Sequence, residues 1–300
     1  MAVSQQRRRY HWRKALTGYA FISPWLIGFL AFNLIPIVAV FYLSFTNYSV
    51  GSEYRWVGIS NYERVFERDR IFPISIYNTI YYTFLAVPLS ITFGFLLALL
   101  LNTKVRGMAY FRTIFYVPSI MPVVATTMIF LWLMHPQLGV LNYFIRGVGG
   151  SPVAWLTSPV WSKPSLILMS LWGVGGGMII YLAGLQNIPE QLYEAATIDG
   201  AGVLRQFWHV TVPMMTPTIL FNLIMGLINS FQVFTQAFIM TGGGPLNSTM
   251  FYMLHLYNNA FSYFRMGYAS ALAVLFFVTI LVATILLMRS AKFWVHYEVD

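Results

Sequence analysis

The chain has 300 residues, 58% hydrophobic and only 9% charged, with a mean hydropathy of +0.66 and a net charge of +9. Ordinary globular domains carry about 25% charged residues, so the pair of soluble domains that the length alone would suggest is set aside for a membrane protein. With no cysteine, disulfide frameworks and Cys-ligated zinc or iron–sulfur sites are excluded, and the positive charge is assigned to orientation in a bilayer rather than to nucleic acid.

In chain order, residues 1–17 form a basic segment carrying Arg7, Arg8, Arg9, Arg13 and Lys14. The apolar run that follows is longer than the roughly 7–15 residues of a secretory signal, and no small-residue cleavage site follows it. It reads as a signal anchor and first span, at 19–46. Further spans are expected at 76–101, 113–134, 165–185, 214–240 and 267–288, each long enough to cross about 30 Å of hydrocarbon. None of the six contains Asp, Glu, Lys or Arg. The expected architecture is therefore an all-α integral membrane protein, with a six-helix domain at 18–290 and a tail at 291–300.

Basic residues set the expected topology. Lys104, Arg106 and Arg112 sit in the short second loop, and Arg205, Arg289 and Lys292 fall on the same side as the amino terminus. On the other side Arg55, Arg64, Arg68 and Arg70 are interleaved with Glu53, Glu63, Glu67 and Asp69, and are joined by Arg146, Lys163 and Arg265. The excess places both termini in the cytoplasm, together with the loop at 188–213.

That loop is polar between two very apolar segments. Pro189 suits a first helical turn, Glu190 stands where the helix dipole favours an anion, and Gly200 is the kind of residue on which helices stop. A second helix is expected over 201–209, with Leu204, Phe207 and Trp208 on one face. The loop reads Glu194-Ala195-Ala196, three residues including Asp199, Gly200, nine residues, then Val210-Thr211-Val212-Pro213. This resembles the Glu-Ala-Ala cytoplasmic loop of permease subunits in binding-protein-dependent ABC importers, with Val210 and Val212 in place of the family's Ile and Leu. An amphipathic helix pair on the membrane surface is the plainer alternative.

The resemblance continues through Ile22-Ser23-Pro24-Trp25, Asn61-Tyr62, Asn78-Thr79, Gly242-Gly243-Gly244-Pro245 and Met266-Gly267-Tyr268-Ala269, which fit the sugar-permease branch related to the larger maltose-transporter permease. It implies the type I importer permease fold in the compact six-span form, in a bacterial inner membrane. It also implies as partners a second homologous permease, a dimer of ATPase subunits docked on Glu194, Ala195, Ala196, Asp199, Gly200 and Pro213, and an extracytoplasmic substrate-binding protein. ATP and magnesium would belong to the ATPase; this chain is expected to bind no cofactor.

The residues point the same way. No Gly-x-x-x-x-Gly-Lys-Ser/Thr loop is present, so the chain has no phosphate cradle. Proton-driven carriers usually place an ionisable residue in the membrane, and these spans hold no carboxylate. His11, His135, His209, His255 and His296 are scattered without a metal-binding pair and are expected at the surface or interface. Gly173, Gly175, Gly176 and Gly177 suit close helix packing, a hinge or a pore lining.

A polar path through apolar helices is expected from Asn229, Gln232 and Gln236, at i, i+3 and i+7 on one helical face. Interhelical hydrogen bonding is the alternative use of the same amides. By resemblance, Ser119 and Gly176 stand near the family's sugar contacts, as does Gln232. Neutral amides and hydroxyls suit a sugar or oligosaccharide, whereas a phosphorylated or carboxylated substrate would call for Arg or Lys along the path, and none is there; glycerol phosphate or another polyol derivative in the same importer class is the less favoured alternative. A secondary carrier and a membrane enzyme remain as rivals from other classes.

Overall fold

A computed structural model of the chain describes residues 2–53, 55–103 and 105–296, and among 2–15 only the side chain of Trp12. The side chains of Arg7, Arg8, Arg9, His11, Arg13 and Lys14, all of Lys104, and the tail beyond His296 lie outside the described residues. Among the described residues regular structure is helical, and the one β-bridge joins Thr46 to Trp56.

Among the described residues four helices are long and apolar enough to cross a membrane, and up to six spans result if each of two bent pairs is counted once. The first comprises α1 (Ala2–Phe29), a π-helical turn (Leu30–Leu34) and α2 (Ile35–Leu43). Next come α3 (Ser60–Glu67) and the long α4 (Ile71–Leu101). The third span is bent: α5 (Met108–Ile120) and α6 (Val123–Leu133) meet at 96°. A continuous third span was expected from the hydropathy. Pro122 overrides it, because a residue before proline is driven out of the helical region, and Met121 is extended at φ −68°, ψ 139°.

The short α7 (Val140–Gly147) leads to the second bent pair. There α8 (Ser162–Ser170) and α9 (Gly175–Gln186) turn by 47° about a 3-10 segment at Leu171–Gly173. Then follow α10 (Glu190–Ile198), α11 (Val203–Gln206), a π turn at Phe207–Thr211, α12 (Val212–Phe231) and α13 (Thr235–Met240). The chain closes with α14 (Tyr252–Tyr257), a π turn at Asn258–Ser262 and α15 (Met266–Ala291). Two of the widened turns end just ahead of Pro36 and Pro213. Proline cannot donate to the carbonyl four residues back and its ring crowds that carbonyl, which the wider turn relieves.

The chain divides into two units. One holds 1–67 and 259–275. Here Asn61 donates to the carbonyls of Ser44 and Thr46 at 2.9 and 2.7 Å, and the Tyr62 hydroxyl donates to Ser44 Oγ. Gly267 N–H bonds the Tyr48 carbonyl, and a Cβ at Gly267 would collide with the Thr46 carbonyl. The Arg64 guanidinium lies 4.9 Å from the centre of the Tyr268 ring. Two motifs far apart in sequence, Asn61-Tyr62 and Met266-Gly267-Tyr268, thus serve one task, fixing the backbone where α2 ends. From Leu16 to Leu43, the described part of α1 and α2, no residue is buried within the chain.

The other unit holds 68–258 and 276–300. Tyr82, Phe130, Met134, Leu166, Ala237 and Phe251 belong to one buried cluster, and Phe95, Ala98, Met178, Tyr181, Leu185 and Met215 to a second. The small residues of α9 allow close crossings: a Cβ at Gly175 would strike the Phe115 carbonyl, and one at Gly184 would press on Thr218 and Met215. Asn78 and Thr79 on α4 tie down the segment after α13. Asn78 Nδ2 donates to the carbonyls of Asn247 and Met250, its Oδ1 accepts from Lys163 Nζ at 2.9 Å, and Thr79 Oγ1 accepts from Tyr252 N–H.

Candidate functional site

The loop at 188–213 folds as its sequence directs, with one change. Pro189 precedes α10 and Glu190 opens it. At the other end Gly200 has φ +74°, the Ala201 N–H reaches the Ala196 carbonyl at 2.8 Å and the Gly200 N–H reaches the Thr197 carbonyl at 3.0 Å. That pair of bonds is the Schellman closure, in which glycine takes the left-handed position at no steric cost. Gln206 Nε2 then bonds Thr197 Oγ1 and the Ala201 carbonyl, and the Tyr193 and Thr211 hydroxyls pair at 2.9 Å, so α10 is fastened to the chain that follows.

The second helix does not stop at His209 as expected. It starts at Val203 and runs through the π turn into α12, with Pro213 in the first turn of α12. Phe207 turns inward beside Phe95, whereas Leu204 and Trp208 are exposed, together with Ile198 and Val203. Glu194 and Asp199 are exposed as well. The outer face of the loop is therefore an apolar patch edged by carboxylates.

Within the membrane portion a cavity of about 690 Å³ is bounded by α4, α8, α9, α12 and α13. Asn229, Gln232 and Gln236 all line it, but not as one helical face, because the helix breaks between Phe231 and Thr235. Phe234 leaves the helical region at φ −139°, and the break lets Val233, Ala237 and Met240 enter the buried cluster with Phe130 and Met134. Core burial of three apolar side chains outweighs the few hydrogen bonds that the break interrupts. Among the described residues the side-chain amides of Asn229, Gln232 and Gln236 have no hydrogen-bond partner, and neither does the buried Tyr181 hydroxyl. Ser119 and Gly176 lie against each other, 3.6 Å from a Cβ at Gly176 to Ser119 Cβ, but neither lines the cavity; Gly173 and Gly177 of the same segment do.

Sequence reasoning missed Tyr82, Ser90 and Ser170 on the wall. The signal was present on α4: Tyr82, Ala86, Val87 and Ser90 recur at i, i+4, i+5 and i+8, a stripe of small and polar residues on a bulky helix. No Asp, Glu, Lys, Arg or His is among the described residues that bound the cavity.

His255 corrects the expectation that every histidine lies at the surface or interface. It is buried, with Nε2 2.8 Å from Asp69 Oδ2, while Asp69 Oδ1 accepts from the Ile71 and Phe72 N–H groups at the start of α4. Burial and the nearby Asp69 charge raise the Tyr252 phenol above its ordinary range.

Helices long and apolar enough to cross a membrane, a largely apolar cavity holding a few neutral polar groups and an exposed helical loop fit a transport permease. The chain belongs to the family described as binding-protein-dependent transport system inner membrane component, whose model matches residues 90–293. It is a multi-pass inner-membrane protein of that family. It is 41% identical over 286 residues to the probable ABC transporter permease protein YesP of Bacillus subtilis (strain 168), covering 94% of this chain and 93% of that protein. It is 34% identical to the lactose transport system permease protein LacF of Rhizobium radiobacter, over 90% of this chain and 91% of the other. A bacterial ABC transporter that imports the acidic polysaccharide alginate has a chain of the same fold, with TM-score 0.84 at 24% identity, covering 95% of this chain and 98% of that one.

Proposed function

We propose that this chain is one of two permease subunits in an ATP-driven importer of a neutral sugar or oligosaccharide. The unsatisfied amides of Asn229, Gln232 and Gln236 on a wall without charged side chains carry this reading. Sugar hydroxyls both donate and accept, and each amide offers both. A cavity of about 690 Å³ lies within the range of about 300–1,000 Å³ usual for small-molecule sites. The permeases for lactose, for trehalose/maltose and for sulfoquinovosyl glycerol among its relatives support a sugar.

Energy comes from outside the chain. The patch formed by Ile198, Val203, Leu204 and Trp208, edged by Glu194 and Asp199, receives an ATPase subunit on the cytoplasmic side, where both termini also lie. An external binding protein delivers the sugar. ATP binding draws the docked loops together, and the Schellman turn and the Gln206 and Tyr193 bonds transmit that motion into α12, whose far end carries Asn229. Alternating access of the cavity follows.

Affinity purification of the tagged chain tests this. An ATPase and a second permease should accompany it, and uptake into vesicles should require ATP and the binding protein. Sugar uptake by vesicles holding this chain alone would overturn the reading in favour of a secondary carrier.

A further inference from the structure

Helix α7 lies between the two bent pairs in the chain. Its inward side is Leu141, Asn142 and Ile145. Asn142 is 0% exposed, and its amide is fully used: Nδ2 donates to the carbonyls of Pro136 and Val153, both at 2.9 Å, while Oδ1 accepts from Val153 N–H at 2.9 Å and Trp155 Nε1 at 3.1 Å. A buried amide with every group paired cannot turn outward without leaving several of them unsatisfied. The rotation of α7 about its own axis is therefore fixed.

The outward side is apolar. Val140, Tyr143, Phe144 and Val148 recur at i, i+3, i+4 and i+8, which is one helical face. Tyr143 is 73% exposed, Phe144 66% and Val148 87%, and Leu138 just before the helix is 85% exposed. Tyr143 and Phe144 pack edge to face, with ring centroids 5.9 Å apart. A helix bathed in water shows the reverse pattern, with its polar face outward.

We propose that this stripe lies in the lipid interface, as an amphipathic helix that anchors the connection between the third and fourth spans. Met128, Ile129 and Trp132 are exposed on α6, part of a candidate span, and Trp132 stands only six residues before Leu138, which keeps the stripe close to the end of that span. Its composition suits the boundary: aliphatic groups for the acyl chains and aromatic rings of the kind enriched at both interfaces, while Arg146, on the Asn142 side of the helix, donates to the Pro136 carbonyl. It offers a protein partner no carboxylate and no amide.

The cysteine-free chain allows a direct test. Leu138→Cys, Tyr143→Cys, Phe144→Cys and Val148→Cys, with Gln137→Cys as the water-facing control, are each labelled with a nitroxide. The labelled full chain, with the subunits that accompany it, is reconstituted in vesicles of phosphatidylethanolamine and phosphatidylglycerol. Collision with oxygen and with a water-soluble nickel chelate is then measured. Labels at Leu138, Tyr143, Phe144 and Val148 should show oxygen-to-nickel ratios at least about threefold above Gln137 and report a depth of about 5–10 Å. Nickel access equal to that at Gln137 would overturn the proposal. Shielding from both reagents would also overturn it, assigning the stripe to a protein partner; shielding that arises only when the binding protein is added would name that partner. Four independent positions keep the test decisive if one variant fails to insert.

Discussion

Gly200 is the point at which loop geometry and coupling can be separated. A Cβ built there meets no atom within 4 Å, so Gly200→Ala meets no neighbour and acts through the backbone alone. At φ +74° an L-residue occupies the left-handed region, at a cost of roughly 1–2 kcal/mol. Energies of that size change the population of the formed turn about 5- to 30-fold. What the turn holds is the bond from Ala201 to Ala196, the bond from Gly200 to Thr197 and the Gln206 contact with the Ala201 carbonyl. Gly200→Val, β-branched, should lose most sugar-stimulated ATPase activity and uptake, and Gly200→Ala should be intermediate. Gly200→Asn should retain most of both, because asparagine tolerates this conformation. All three should insert in the membrane, so activity is read against complex yield from the same preparation. Wild-type uptake in Gly200→Val at equal yield, or Gly200→Asn no better than Gly200→Val, would refute the reasoning.

Three further outcomes follow from other contacts. Gln232→Leu should lower uptake with the complex intact, since a sugar hydroxyl loses its amide at about 1–3 kcal/mol; because the Gln232 amide has no partner among the described residues, thermal unfolding should be unchanged, and a drop in stability with normal uptake would assign it to helix packing. Gly175→Ala should cost about 1–3 kcal/mol of stability by forcing α5 from α9, whereas Gly173→Ala, with open space around it, should not; equal thermal midpoints would remove the packing argument. Asn78→Ala leaves the Asn247 and Met250 carbonyls and Lys163 without their partner, so amide exchange in 241–252 should accelerate, and unchanged exchange there would contradict the tie.

Much of the architecture was legible because lipid imposes a simple rule. A backbone in hydrocarbon must satisfy its own hydrogen bonds, so a long uncharged apolar run is a helix with little ambiguity. The loop was legible for a different reason: Pro189, Glu190 and Gly200 act through local backbone preferences that do not depend on the rest of the fold. The bend at Met121 was also written locally, in Pro122, but hydropathy averages over about 19 residues and cannot see one extended residue. His255 was misplaced because its partner Asp69 is 186 residues away, and pairing at that separation leaves no mark on local sequence.

Side-chain chemistry alone determined that this chain has long uncharged apolar helices able to cross a membrane and presents a capped helix between its fourth and fifth spans. Local propensity and solvation decide those features residue by residue. The cavity belongs to tertiary structure. Gln232 and Gln236 line the same wall across a break in the helix between Phe231 and Thr235, where Val233, Ala237 and Met240 are buried in a cluster with Phe130 and Met134 of the third span. Ser170 joins that wall from α8, where no comparable stripe marks the inward side. Apolar residues surround every span, so hydrophobicity marks where a helix lies without saying which side faces its neighbours; close packing makes that decision.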